Sequence, residues 1–277
     1  MSTVNKKILR FLARKIVKKY HPRVIGVVGE TEEIISRVLS SKFSTRNSGN
    51  FFDNETNVLL AVIGIDCQMG ANLPDGGIVS TVKIFMEALK LILTKQEYPE
   101  FLVLEIKSDQ TGGVKSLFKI ARPEIGIIIG AEKLSNSKQS IKEKNLLVKH
   151  LRKNELAILN RDDKLVGNVI WGTRAKIITF GFSEKAMVRA TEVINEKEIG
   201  NWKLETKKSD HLDGNLHYER LKEKKGEVVS FKINYQNTFI PIRLTRRQIY
   251  PALAAAAVGL NYGLNLVEIV EVLGGQE

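Results

Sequence analysis

LVLEIKSDQTGGVKSLFKIARPEIGIII, residues 102–129, packs two short apolar runs around a glycine-containing loop and a short helical stretch. Phe101–Ile106 and Ile125–Ile129 are near-continuous apolar runs, the pattern of strands buried on both faces. Gly113–Ala121 between them reads as a helix. A strand, a helix and a second strand in so short a span argue for a largely parallel sheet covered by helices.

The same alternation extends in both directions. Val24–Val28 and Val58–Ile65 read as strands before it, with helices over Thr31–Ser41 and around Val79–Leu93. After it come a helix over Ser140–Leu151 and strands at Leu156–Leu159 and Lys176–Phe180. The fold class is therefore α/β, a mostly parallel sheet with helices on both faces. Beyond Gly200 the helical periodicity is lost. Turn signals at Asp213-Gly214-Asn215 and Lys225-Gly226 separate strand-like stretches Trp202–Thr206, Leu216–Leu221 and Val228–Tyr235. Residues 201–244 thus read as a small inserted antiparallel β-meander. A last helix runs from Arg247 to about Tyr262, with Ala252–Ala257 nearly all alanine.

Residues 1–23 stand apart from the α/β domain of residues 24–277. They carry eight basic residues and no acid; removing those eight charges from the net +12 leaves +4 for the remainder. Ile8, Leu9, Leu12, Ile16 and Tyr20 recur at helical spacing, while Lys7, Arg10, Arg14 and Lys18 line the other side. Such a basic amphipathic helix suits an anionic membrane surface or a protein partner; docking on its own domain is the alternative. Phe11 is the one aromatic residue between Lys6 and Lys19, which argues against base stacking and hence against nucleic acid. The lone Cys67 excludes an internal disulfide, four scattered histidines suggest no zinc site, and no apolar run approaches membrane-spanning length. The expected location is cytoplasmic, with a peripheral position at the inner face of the membrane as a further expectation.

Five segments, taken in order, resemble the ATPase domain of the Mur ligases, closest to the D-Ala-D-Ala-adding branch. They are PRVIGVVG (22–29), NSGNFFDNETNVLLAVIGID (47–66), the opening stretch 102–129, SIKEKNLLVKHLRKNELAILNRDD (140–163) and RRQIYPALAAAAVGLNYGLNLVEIVEVL (246–273). The resemblance implies a Mur-ligase central-domain fold and a nucleotide site with ATP and Mg as cofactors of any activity that remains. On it, Gly26 and Gly29 fall at the strand entering the phosphate loop. Glu105 takes the place of the metal-binding glutamate, and Lys144 that of the lysine the family carbamylates to bridge metals. Asn160, Asp163 and Arg189 fall near adenine and ribose.

The phosphate loop itself does not match. G-x-x-x-x-G-K-[ST] lets backbone N–H groups wrap the phosphates while lysine neutralises them. Counted from Gly26, the last three positions are Thr31, Glu32 and Glu33; counted from Gly29, they are Ile34, Ile35 and Ser36. The stretch is also about one short loop shorter than in the family. The histidine-containing metal segment of the family is replaced by GAEKLSNSKQS (130–140), and its histidine before the alanine-rich helix by Arg247. Family members have three domains; here about twenty residues precede the ATPase-like part and almost none follow it, so even an intact central domain is expected to lack its usual substrate platforms. The residues have plainer readings too. Glu32 and Glu33 favour a helix N-terminus by about 0.3–1 kcal/mol each. Glu105 would serve as an ordinary ion-pair partner, Lys144 as a solvated residue of a lysine-dense helix, and Asn160 as a turn former.

Three functions stay open. One is a non-catalytic binding or scaffolding partner of a catalytic Mur-type ligase paralogue. Another is an active ATP-dependent acid–amino acid ligase completed by a partner chain. The last is a basic module for membrane surfaces or nucleic acid.

Overall fold

The computed structural model describes residues 3–29, 31–49, 54–65, 78–107, 112–130, 138–163, 172–195 and 228–274. Nine strands form one sheet in the order β2-β3-β1-β4-β5-β6-β7-β8-β9. β1 (Arg23–Val28), β2 (Thr45–Asn47), β3 (Phe101–Glu105), β4 (Ile125–Ile128), β5 (Leu156–Asn160), β6 (Lys176–Gly181) and β7 (Val188–Asn195) are parallel. β8 (Val228–Tyr235) and β9 (Thr238–Thr245) continue the sheet antiparallel at its far edge. Gln236 and Asn237, both at positive φ, make the two-residue turn between them. The two earlier stretches expected in the 201–244 meander, Trp202–Thr206 and Leu216–Leu221, lie outside the described residues.

Successive side chains of β1 point to opposite layers. Ile25 and Val27 join a core with α2 (Glu32–Ser40), α7 (Ile249–Asn261) and α8 (Leu266–Gly274). Val24 and Val28 join the other core, with α1 (Thr3–Tyr20), α3 (Asn54–Ile63), α4 (Ile78–Leu93), α5 (Gly113–Ile120) and α6 (Lys138–Lys149). Gly26 belongs to this second side. A Cβ there would lie 2.9 Å from Leu117 Cδ2 and 3.3 Å from Leu147 Cδ1, and its β4 neighbour Gly126 is crowded by Leu147 and Leu151. The paired glycines let α5 and α6 sit close on the sheet.

One expected strand is a helix. Of residues 58–65, read from sequence as a strand, Val58–Ile63 belong to α3 and are all buried. A short apolar run bears no period, so strand and fully buried helix look alike in it. Here the run is closed off by Gly64 at φ 86, against which the Arg46 guanidinium lies and donates to Ala61 O at 3.1 Å.

The N-terminal helix forms as expected, but its apolar side is used within the domain. Leu9, Leu12, Ala13 and Ile16 are buried. Arg10 pairs with Glu55 of α3, and Arg14 Nε donates to Lys119 O at the end of α5. Lys19 Nζ donates to Leu91 O at 2.9 Å, to Ile92 O at 3.1 Å and to Thr94 O, placing a cation on the carbonyl end of α4. Lys7 and Lys18 stay exposed. No helix among the described residues is long and apolar enough to cross a membrane.

Tyr20 stacks on Tyr98 with centroids 4.5 Å apart, and Tyr98 donates to Val62 O at 2.6 Å. Burial raises the Tyr98 phenol above its ordinary value, against the lowering effect of the nearby Arg46 charge. A raised folded-state value means that the unfolded chain loses this proton first. The contribution of Tyr98 is then whole below pH ~10 and is lost as pH rises through the folded value. Tyr98→Phe should cost about 1 kcal/mol at neutral pH for the lost hydrogen bond, while its urea-derived stability falls less steeply than wild type above pH ~10. An unchanged alkaline slope would contradict this.

Candidate functional site

Because β3 and β4 flank β1 on opposite sides, the winding of the sheet reverses at β1. Open α/β sheets bind ligands outside the C-terminal strand ends at such a point. β1 arrives there at Gly29, whose φ of 129 and 2.9 Å approach to Ile129 Cβ leave no room for a side chain. β1 ends at Val28 and α2 begins at Glu32, so Gly29 to Thr31 make the whole connection. Glu32 and Glu33 occupy the first turn of α2.

β4 arrives as Ile129 and Gly130, on which three other elements converge. Asn160, 1% exposed at the end of β5, donates Nδ2 to Ile129 O at 2.6 Å and accepts from Asp162 N at 2.9 Å. Gly130 has φ 126, and a Cβ on it would lie 2.8 Å from Asn160 Nδ2 and 3.6 Å from Asp163 Oδ2. Lys144 of α6 reaches the same residue, with Nζ 3.4 Å from Gly130 O. This lysine is 3% exposed, so the solvated face expected for it is wrong. The α6 stretch around it is dense in lysine, but this one points inward over the strand ends. Asn160 is the turn former expected, and it also ties β4 to β5.

Glu105 is 6% exposed at the end of β3, level with Val27. Its N–H donates to the buried Ser48 Oγ at 2.7 Å. Gly29, Lys144, Asn160 and Asp163 therefore gather around residues 129–130, with Glu105 across β1. Gly26 lies mid-strand under α5 and α6, where it packs against side chains. Arg189 sits on β7 level with Gly181, on the outer side of β6 from Asn160.

The β1–α2 connection brings no lysine. Among the described residues, no three His, Cys, Asp or Glu side chains are placed to hold a metal.

Two acids that sequence reading passed over organise this edge. Glu143, 1% exposed, accepts from Gly112 N and Val114 N at 2.9 Å each and so fills the N-terminus of α5. Asp162 accepts from Phe182 N at 2.6 Å, Ser183 N at 2.9 Å and Tyr250 Oη at 3.1 Å. Gly181 makes this approach possible, since a Cβ would meet Asp162 Oδ2 at 2.5 Å. Asp162 and Asp163 follow the turn-forming Asn160, but which of them faces which strand depends on the tertiary fold. Asp162→Ala would leave two N–H groups and a phenol without their acceptor. It should destabilise the fold by about 3 kcal/mol in urea denaturation, given hydrogen bonds to a charged acceptor. A loss below about 1 kcal/mol would show the network to be dispensable.

A profile of the Mur ligase middle domain matches residues 50–259. No curated protein sequence matches the chain. Among solved structures, MurF from Acinetobacter baumannii superposes with a TM-score of 0.65 at 16% identity, covering 98% of this chain and 50% of that one. MurF ligase from Thermotoga maritima in complex with ADP gives 0.62 at 17% identity, over 96% and 52%. A pseudomurein peptide ligase type C from Methanothermus fervidus gives 0.56 at 14%, over 94% and 51%. The chain thus spans about half the length of these relatives. At such identities the superpositions speak for the fold, while the profile match over most of the sequence speaks for descent: the chain belongs to the Mur ligase middle-domain family.

Proposed function

We propose that this chain is a degenerate member of its family, a non-catalytic binding or scaffolding partner in cytoplasmic cell-wall precursor synthesis, acting beside a catalytic Mur-type ligase. The observation that carries the reading is the β1–α2 connection. Gly29 to Thr31 is too short for the four residues between the two glycines of a phosphate loop, and, counted from Gly26, Glu32 and Glu33 stand where lysine and a hydroxyl residue should. Phosphoryl transfer depends almost wholly on positioning and charge neutralisation. Glu32 and Glu33 supply the opposite sign. Two like charges about 4 Å apart repel by roughly 1 kcal/mol in water and ~4 kcal/mol at an effective dielectric of 20.

A second reading has its own support. Lys144, Asn160 and Asp163, which match family nucleotide and metal-site positions, meet at Gly130. An ATP-dependent acid–amino acid ligase completed by a partner chain would use them. Phosphate release from Mg-ATP, followed for the purified chain alone and mixed with an intact Mur-type ligase, separates the two. The chain alone should release no phosphate above background, and Lys144→Ala should leave the rate of the mixture unchanged. Hydrolysis by the chain that is abolished in Lys144→Ala would establish the ligase instead.

A further inference from the structure

The described residues include ten exposed large apolar side chains, and six of them lie on two helices that pack against each other. Val82, Met86, Leu89 and Leu93 recur at intervals of four, three and four along α4, which makes them one stripe on its outer side. Met86 is 61% exposed and Leu93 78%. The neighbouring α1 adds Ile8 and Phe11, the latter 58% exposed. These are not the apolar residues that make α1 amphipathic toward its own domain, since Leu9, Leu12, Ala13 and Ile16 are buried. Lys19, by reaching the α4 carbonyls, fixes which side of α1 faces α4. Lys15, four residues before Lys19, and Ile8, seven before Lys15, lie on that same side.

Charge surrounds the stripe. Lys7, Lys15 and Lys18 are exposed on α1, and Lys83 and Lys90 on α4, with Glu87 in reach of Lys90 at 4.0 Å. Lys15 stands 5.5 Å over the Phe11 ring, an apolar body with a cationic rim. Aromatic and aliphatic residues ringed by lysines form the surface of a helix that lies in a headgroup layer.

We propose that the outer faces of α1 and α4 together form a docking surface for an anionic lipid bilayer, with Phe11, Met86 and Leu93 entering the acyl boundary and the lysines meeting the headgroups. The sign of the rim selects this occupant. A second copy of the chain would bring the same lysines face to face. The proposal stands on exposure and charge, independently of the reading of the nucleotide site.

The test uses the full chain and vesicles of phosphatidylcholine with or without 30 mol% phosphatidylglycerol. The chain should sediment with the anionic vesicles, remain in solution with pure phosphatidylcholine, and release at high salt. Met86→Glu/Leu93→Glu should weaken binding at least tenfold with an unchanged thermal melt, since both positions are solvent-exposed. Lys7→Glu/Lys15→Glu should weaken it as well, each lysine near an anionic surface being worth roughly fivefold. Equal sedimentation of wild type and Met86→Glu/Leu93→Glu would overturn the proposal, as would no sedimentation with anionic vesicles at low salt. A concentration-dependent dimer in light scattering that the same double variant abolishes would assign the surface to a second copy instead.

Discussion

A parallel sheet buried on both faces brings the C-terminal ends of its strands to one edge, where carbonyls leave the ladder and must find other partners. In this chain that duty is discharged by side chains that arrive from the next element along. Asn160 takes the carbonyl of Ile129, and Lys144 reaches that of Gly130. Asp162 draws the ends of β6 and α7 together through two N–H groups and the Tyr250 phenol. Glu143 closes the N-terminus of α5. The approaches of Asn160 and Asp162 are close enough to require glycine at Gly130 and Gly181, so backbone shape and polar pairing are set together there.

On the proposed reading, Asn160 and Lys144, which the sequence resemblance sets at nucleotide and metal positions, carry a structural load instead. Removing Asn160 or Lys144 would take a donor from the half-buried carbonyl of Ile129 or Gly130, at a cost of about 1 kcal/mol each. A phosphate-loop lysine carries no such load, because its partner is the ligand. On the proposed reading, the residues that remain are those the fold needs, and their presence is weak support for catalysis.

Much of the architecture was legible because its signals were local. The apolar runs at Phe101–Ile106 and Ile125–Ile129, with a helix between them, emerged as β3, α5 and β4. Val58–Ile63 was misread because a run buried on every side has no polar face to give it a period. β2, with its three half-buried residues, had no sequence signal. The site was legible by type but not by placement. Lys144 looked like one lysine among several, and only the tertiary fold turns it inward. Of the expected apolar side of α1, Leu9, Leu12 and Ile16 belong to the core while Ile8 is exposed, and the exposed stripe on α4 is a separate feature.

The central claim is that the end of β1 no longer receives a nucleotide. Titration calorimetry of the purified chain with ATP and magnesium tests it most directly. The expected result is no saturable heat up to millimolar nucleotide. A micromolar dissociation constant, weakened by Glu105→Lys or Asp163→Lys, would contradict it and return the site to the ligase reading.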